Sequence, residues 1–181
     1  VVGRIFELAS FYFLEKKLLP GEVLLSPTET FLIYSIIYRE RKINRIDPFF
    51  AGLEGVTVPD GIIILPEPKK NYTRIVGVVE YSASNHVWDE KKHTADKFFE
   101  DFFQKGPQRS HGATALGRAI HALLPQCPPK LYGKRREFRM IYVVPEDERH
   151  NPNGSNMEVF RAPLLRSEIH LILERLVQDT K

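Results

Sequence analysis

The sequence predicts an α/β or α+β sandwich in which helices flank a small mixed β-sheet. Helical periodicity opens and closes the chain, two runs rich in β-branched residues are separated by a short polar segment, and two more apolar runs precede the last helix. With 181 residues the chain is long enough for one domain with its own core and short for two. We therefore expect a single domain over residues 1–181.

The N-terminal part contains one clear helix and one ambiguous segment. Apolar residues recur at spacings of three, four and seven over residues 4–19, which predicts an amphipathic helix. Residues 22–46 fit two interpretations. "SPTE" at 26–29 is a capping box, which favours a helix. "TFLIYSIIY" is rich in aromatic and β-branched residues, which favours a strand, and we expect a strand for the later part of the segment.

The clearest strands are predicted over residues 56–65 and 74–82, where Val, Ile and Thr dominate. Between them lies "PEPKKNYT", a polar segment with two prolines, so the two strands are expected to form a hairpin. The rest of the chain alternates helices and strands. Helices are predicted over 87–104, 113–124 and 167–178, the last capped by Ser167, and strands over 138–144 and 157–163, with a loop over 145–156.

Composition permits many functions and excludes a few. The 26 basic residues nearly balance the 23 acidic ones, so the net charge of +3 permits an anionic partner without demanding one. A single cysteine rules out an internal disulfide and fits a reducing compartment. No run of 18 apolar residues occurs, so we predict no membrane span. The sequence contains neither phosphate-binding glycine loop, GxxxxGK[ST] or GxGxxG, nor the serine-nucleophile motif GxSxG.

Two carboxylates stand at the open end of the predicted hairpin, Asp60 in "VPDGIIIL" and Glu80 in "VVEYSAS". If Leu65 pairs with Arg74, Asp60 lies opposite Val79, and a slip of one residue at the turn places it opposite Glu80. Opposed side chains have Cβ atoms about 5 Å apart. Two carboxylates at that distance repel each other unless a proton or cation lies between them, and Mg²⁺ is the natural cation.

Ser82 lies on the same face of its strand as Glu80, because side chains alternate along a strand. Its hydroxyl can orient a water or a phosphate oxygen, but it cannot supply positive charge to a developing oxyanion. A purely structural interpretation also stays open. "PDG" is a common turn sequence, and an acid at a strand end is usually solvated.

"PDGIIIL" followed by "VVEYS" resembles the core motif of the PD-(D/E)XK nuclease superfamily, with Pro59, Asp60 and Glu80 at the motif positions and Ser82 where the family has lysine. "GRIFELASFYFL" and "VVEYSASNH" are similar to stretches of the nuclease-like C-terminal domains of Crinkler effectors and retrotransposon hot spot proteins. The resemblance implies a restriction-endonuclease-like fold with an αβββαβ core. It also implies an NTPase module upstream and an intracellular, nuclear location.

The resemblance further implies a nuclease that hydrolyses DNA, with RNA as an open alternative, and that depends on Mg²⁺ or Mn²⁺. Asp60 and Glu80 would bind the metal ion, and Glu7 on the first helix would add a third carboxylate. Because Ser82 replaces the lysine, a cation from the following helix would have to complete the site. Lys91, Lys92 and Lys97 are the candidates; Lys92 or Lys91 lies nearest to the strand end, and we assign the catalytic role to Lys92.

Phosphate contacts are predicted mainly from "KLYGKRREFR" at 130–139, with Lys134, Arg135 and Arg136 as candidates and Lys91 extending a basic rim around the site. A solubilising loop before a strand explains the same residues equally well. His86 is a further candidate for the rim. Two other functions stay open: a module on the same fold that binds nucleic acid or a protein without cutting, and a structural domain whose acids only serve a turn and a cap.

Overall fold

The computed structural model describes residues 2–44, 59–83, 88–105, 115–149 and 157–178. The helices are α1 (Val2–Glu15), α2 (Pro27–Asn44), α3 (Trp88–Glu100), α4 (Ala115–Leu123) and α5 (Arg166–Gln178). The strands are β1 (Val23–Leu24), β2 (Gly61–Glu67), β3 (Tyr72–Tyr81), β4 (Leu131–Tyr132), β5 (Arg139–Pro145) and β6 (Met157–Ala162). The predicted mixed α/β architecture is therefore confirmed.

Within the described residues the six strands form one mixed sheet in the order β1-β2-β3-β5-β6, and β4 pairs with the start of β3. Strand β2 runs antiparallel to its neighbours β1 and β3, whereas β5 lies parallel to β3 and β6 lies parallel to β5. Strand β3 is thus central, and its C-terminal end lies beside that of β5. In sheets with parallel strands, this edge is where ligands usually bind.

Two hydrophobic clusters cover the two faces of the sheet. One contains apolar residues of α2, α3 and α4, and the other contains residues of α1 and α5. Successive residues of β2 contribute to opposite clusters, because Ile62 and Ile64 belong to the first and Ile63 belongs to the second. The sheet is therefore buried on both sides, which explains the continuous apolar runs of β2 and β3.

The strand expected in the later part of residues 22–46 is wrong. After the short strand β1, the chain forms helix α2 from Pro27 onward. Both bonds of the capping box are present: Ser26 N–H donates to the Glu29 carboxylate at 2.7 Å, and Glu29 N–H donates to Ser26 Oγ at 3.1 Å. Ile33 and Ile37 are buried at helical spacing, so burial of one helical face outweighs the β propensity of the segment.

Other boundaries differ by a few residues. Helix α1 ends at Glu15 rather than at residue 19, and Gly21 adopts a positive φ of 83° in the turn that follows. Ser167 is not a cap, because α5 begins at Arg166; the Glu168 carboxylate instead accepts a hydrogen bond from Leu165 N–H at 2.8 Å. No helix in the described parts of the chain is long and apolar enough to cross a membrane.

Candidate functional site

The β2–β3 hairpin contains a bulge that decides which residues meet at its open end. Leu65 pairs with Arg74, as predicted, but the pairing shifts by one residue between Ile63 and Ile64. Because Ile64 pairs with Ile75 and Ile63 pairs with Gly77, Val76 is the extra residue of β3. The one-residue slip expected from the sequence therefore exists, but it lies in the middle of the strand and not at the turn.

The bulge also changes the face of the sheet on which the side chains at the end of β3 lie. Ile75 and Val78 belong to the same core cluster although they are three residues apart, so alternation is broken once between them. Beyond the bulge, Glu80 lies on the side of Val78. Gly61 pairs with Val79, and the next step of this register places Asp60 opposite Glu80. The predicted meeting of the two carboxylates is therefore present.

Lys91 joins these two carboxylates. Its ammonium nitrogen lies 2.5 Å from Asp60 Oδ2 and 3.1 Å from Glu80 Oε2. Asp60 Oδ2 also accepts a hydrogen bond from Tyr81 N–H at 2.8 Å, which fixes the carboxylate against the end of β3. Two oxygens at these distances from one nitrogen are at most about 6 Å apart, so Asp60 and Glu80 share one cation, the ammonium of Lys91.

The choice of Lys91 over Lys92 follows from the buried face of helix α3. Trp88, Lys91, Ala95 and Phe98 recur at spacings of three and four, and the three apolar members of this stripe pack in the core. Lys91 therefore points to the sheet. Lys92 lies one position off the stripe and pairs with Asp96 one turn later along the helix, with both side chains more than one-third exposed. The structure thus places Lys91, not Lys92, at the two carboxylates.

The start of helix α3 is held against strand β5 by an aromatic contact. Trp88 and Tyr142 pack edge to face with ring centroids 4.4 Å apart. Ser82 is buried beside them; its N–H donates to the Val143 carbonyl at 2.9 Å, and its hydroxyl interacts with the phenol of Tyr142. Ser82 therefore supports the wall of the site, and its predicted role toward water or phosphate stays a prediction.

Burial dominates the electrostatics of the cluster. Glu80 is fully buried, and burial first, then the charge of Asp60, raises the pKa of its carboxyl well above the usual range, against the opposing effect of Lys91. Burial alone would lower the pKa of Lys91, but the charges of Glu80 and Asp60 outweigh it and raise that pKa. Two carboxylates and one ammonium leave one negative charge in excess, so the cluster attracts a further proton or cation.

Glu7 lies near this cluster but is engaged elsewhere. Its carboxylate accepts a hydrogen bond from Arg4 at 2.9 Å. Burial and then the charge of Asp60 raise the pKa of the Glu7 carboxyl. Across the described residues, no group of three or more His, Cys, Asp or Glu side chains is arranged to hold a metal ion. Glu7 as a third metal ligand stays a prediction.

Two carboxylates are a sufficient protein contribution for Mg²⁺, which keeps several water ligands. Glu80 supports this fit, because among the described residues neither of its buried oxygens accepts a well-aligned hydrogen bond, and its close contact is the ion pair with Lys91. A buried carboxylate oxygen without hydrogen bonds is costly unless a cation balances it. Asp60 and Glu80 would therefore be the residues that hold a divalent ion here.

The predicted phosphate contacts of the 130–139 segment lie at the other end of β3. Tyr132 pairs with Arg74, six residues and about 20 Å from Glu80 along the strand. Lys134 donates to Glu137 at 2.8 Å, and the guanidinium of Arg135 lies over the ring of Phe99. Arg136 is exposed. A phosphate-binding role for this segment stays a prediction, and the segment does not adjoin the carboxylates.

The sequence did not predict several residues of the site. Tyr34 of helix α2 packs near Glu80; burial and then the charge of Glu80 raise the pKa of its phenol. Trp88, Tyr142 and the N–H of Tyr81 were also missed. Only Trp88 could have been predicted from the sequence, because its spacing to Ala95 and Phe98 identifies the buried face of α3 that includes Lys91. His86 lies outside the described residues.

Comparison of the chain with protein-family models, with curated proteins and with solved structures gave no significant match.

Proposed function

We propose that this protein is a Mg²⁺- or Mn²⁺-dependent nuclease that hydrolyses DNA phosphodiester bonds. The observation that supports it is the position of Lys91, whose ammonium lies between the carboxylates of Asp60 and Glu80 at the C-terminal end of the central strand. This position supports the proposal, because Lys91 on helix α3 would supply the positive charge that Ser82, at the lysine position of the motif, cannot supply.

The proposed fold is restriction-endonuclease-like. The order α1, β1, β2, β3, α3, β5 follows an αβββαβ core if helices α2 and α4 and the short strand β4 are insertions and β6 and α5 follow the core. The antiparallel pairs among the first three strands and the parallel pairing of β3 with β5 support this assignment. The choice of DNA as substrate rests on the sequence resemblance.

Each residue has a role that its surroundings allow. Asp60 and Glu80 would hold the divalent ion, which supplies positive charge near the scissile phosphate and lowers the pKa of a bound water. Lys91 would place its ammonium beside the phosphate, where it stabilises charge that develops on the oxygens. Trp88 and Tyr142 would fix the first turn of α3 so that Lys91 emerges beside the two acids and its ammonium can reach a phosphate bound there.

The test is cleavage of plasmid DNA in the presence of Mg²⁺ or Mn²⁺. Asp60→Asn and Glu80→Gln are nearly isosteric, and Lys91→Gln shortens the side chain by one atom, so each removes a charge without adding bulk. We expect each to lower the cleavage rate at least about 100-fold, which is the scale of losing one electrostatic contact to a transition state. Lys92→Gln is the matched control and should retain the wild-type rate. A wild-type protein that binds DNA without cutting it would refute the proposal.

The alternative is a module on the same fold that binds nucleic acid or a protein without cutting. One observation favours it: across the described residues, the acids do not form a three-ligand metal group. In that case the Asp60–Lys91–Glu80 cluster is structural. The asparagine and glutamine variants would then lower stability while leaving DNA binding unchanged, and the wild type would show no metal-dependent cleavage.

A further inference from the structure

The Lys91 ammonium takes the same carboxylate oxygens that a divalent ion would need. Its nitrogen is 2.5 Å from Asp60 Oδ2 and 3.1 Å from Glu80 Oε2. Mg²⁺ binds carboxylate oxygens at about 2.1 Å, and a cation that binds both oxygens has to lie between them. The ammonium and the ion would then be only a few ångströms apart, where two positive charges repel each other strongly in a partly buried site.

The Lys91 side chain can also move away from the two carboxylates without a change in the fold. This side chain is about one-sixth exposed, whereas that of Glu80 is fully buried, so part of the Lys91 side chain reaches solvent. Lys91 belongs to the first turn of α3, and its ammonium is carried by a flexible stem of four carbons. Movement of this side chain outward requires no movement of the helix, because Trp88 and Phe98 hold the helix to the core.

We propose that Lys91 is an internal counter-ion of Asp60 and Glu80, which competes with the divalent ion for these carboxylates and turns outward when the ion binds. The inference rests on the proposed function only in placing a metal ion between these two acids. Lys91 neutralises part of the buried negative charge when the metal ion is absent, so the chain folds without it. The same contact lowers the apparent metal affinity, because only the fraction of molecules with Lys91 displaced can bind.

Calorimetric titration with MnCl₂ tests this competition directly. We expect Lys91→Met to bind Mn²⁺ about tenfold or more tightly than the wild type, because the competing cation is gone. Lys92→Met is the matched control, since it removes the same formal charge from the neighbouring position, and its affinity should stay within about twofold of the wild type. Equal or weaker Mn²⁺ binding by Lys91→Met, or no Mn²⁺ binding by either protein, would overturn the proposal.

A second measurement needs no variant and so does not depend on the folding of Lys91→Met. Reductive methylation followed by mass spectrometry reports how accessible each lysine amine is. In the wild type, Lys91 should be labelled slowly without metal and several-fold faster with saturating Mn²⁺, while Lys92 provides an internal reference that does not change. Labelling of Lys91 that stays constant or slows with Mn²⁺ contradicts the displacement.

The outcome separates this inference from the nuclease proposal. If Lys91→Met binds Mn²⁺ more tightly but the wild type never cleaves DNA, the competition stands and the nuclease proposal fails. If the wild type cleaves DNA but Lys91→Met gains no affinity, the competition fails and the nuclease proposal stands.

Discussion

The two ends of strand β3 carry charged clusters whose cations, Arg74 and Lys91, are equally buried, and the clusters differ in the exposure of one acid. At the C-terminal end, Lys91 joins Asp60 to the fully buried Glu80. At the N-terminal end, Arg74 donates to Glu137 at 2.7 Å, and the Glu137 side chain is 44% exposed. Both clusters hold close pairs of opposite charge, so geometry alone does not distinguish them.

The pKa shifts of the two acids point in opposite directions. Burial raises the pKa of Glu80, whereas a hydrogen bond from Lys134 lowers that of Glu137, which remains solvated. A solvated pair forms because its charges attract each other in water. A buried cluster exists because the fold forces its charges together, and it therefore retains the capacity to take up another cation. The C-terminal end is for this reason the candidate site.

The largest expected effect is on stability at the buried end. Lys91→Met leaves Asp60 and Glu80 opposed without their counter-ion, and removal of one partner from a buried ion pair costs about 3 kcal/mol of unfolding free energy. Urea denaturation without divalent ions measures this. Lys92→Met is the control and should change the unfolding free energy by less than about 0.5 kcal/mol. A similar small change for Lys91→Met would mean that the two ends of β3 do not differ in solvation.

The second-largest effect is expected at Gly77, next to the bulge that separates the two ends of β3. A Cβ atom added at Gly77 would lie 2.6 Å from the Arg139 carbonyl oxygen, so Gly77→Ala forces β3 and β5 apart. We expect a loss of about 2 kcal/mol in urea denaturation. Gly61→Ala is the matched change in β2, where the nearest atoms would be 3.4 Å away, and it should cost less. If the two variants lose equal unfolding free energy, β3 and β5 do not approach each other closely at Gly77.

A smaller effect is expected at the solvated end. Arg74→Met should lower the melting temperature by no more than about 3 °C, since partly exposed ion pairs contribute little. The difference between wild type and variant should shrink further in 1 M NaCl, because salt screens exposed charges. For Lys91→Met the difference should persist in 1 M NaCl. A salt-insensitive effect at Arg74 would show that this end is also shielded from water.

The smallest expected effect concerns nucleic-acid binding. Lys134 already donates to Glu137, so Lys134→Met should change the affinity for a labelled DNA duplex by less than about twofold in fluorescence anisotropy. If Lys134 does bind phosphate, its loss should reduce the salt dependence of the affinity by about one phosphate contact. That result would favour the sequence-based prediction for the 130–139 segment.

Local patterns in the sequence determined much of the fold. The capping box at Ser26 and Glu29, the two β-branched runs and the helical spacing of α3 all act between residues close in the chain, and each is present in the structure. The pairing of Leu65 with Arg74 also followed from the sequence, because a short polar turn restricts how two strands can meet. These features allowed Asp60 and Glu80 to be predicted as neighbours.

Tertiary structure decided the rest, because it depends on which surfaces become buried. Residues 27–44 form a helix and not a strand because Ile33 and Ile37 fill the core from one helical face. The bulge at Val76 sets the face of Glu80, and no local motif marks its position. The sequence likewise did not determine which lysine of α3 reaches Asp60 and Glu80. Lys91 and Lys92 are chemically equal neighbours, and only the contacts of Trp88, Ala95 and Phe98 turn Lys91 toward the two acids.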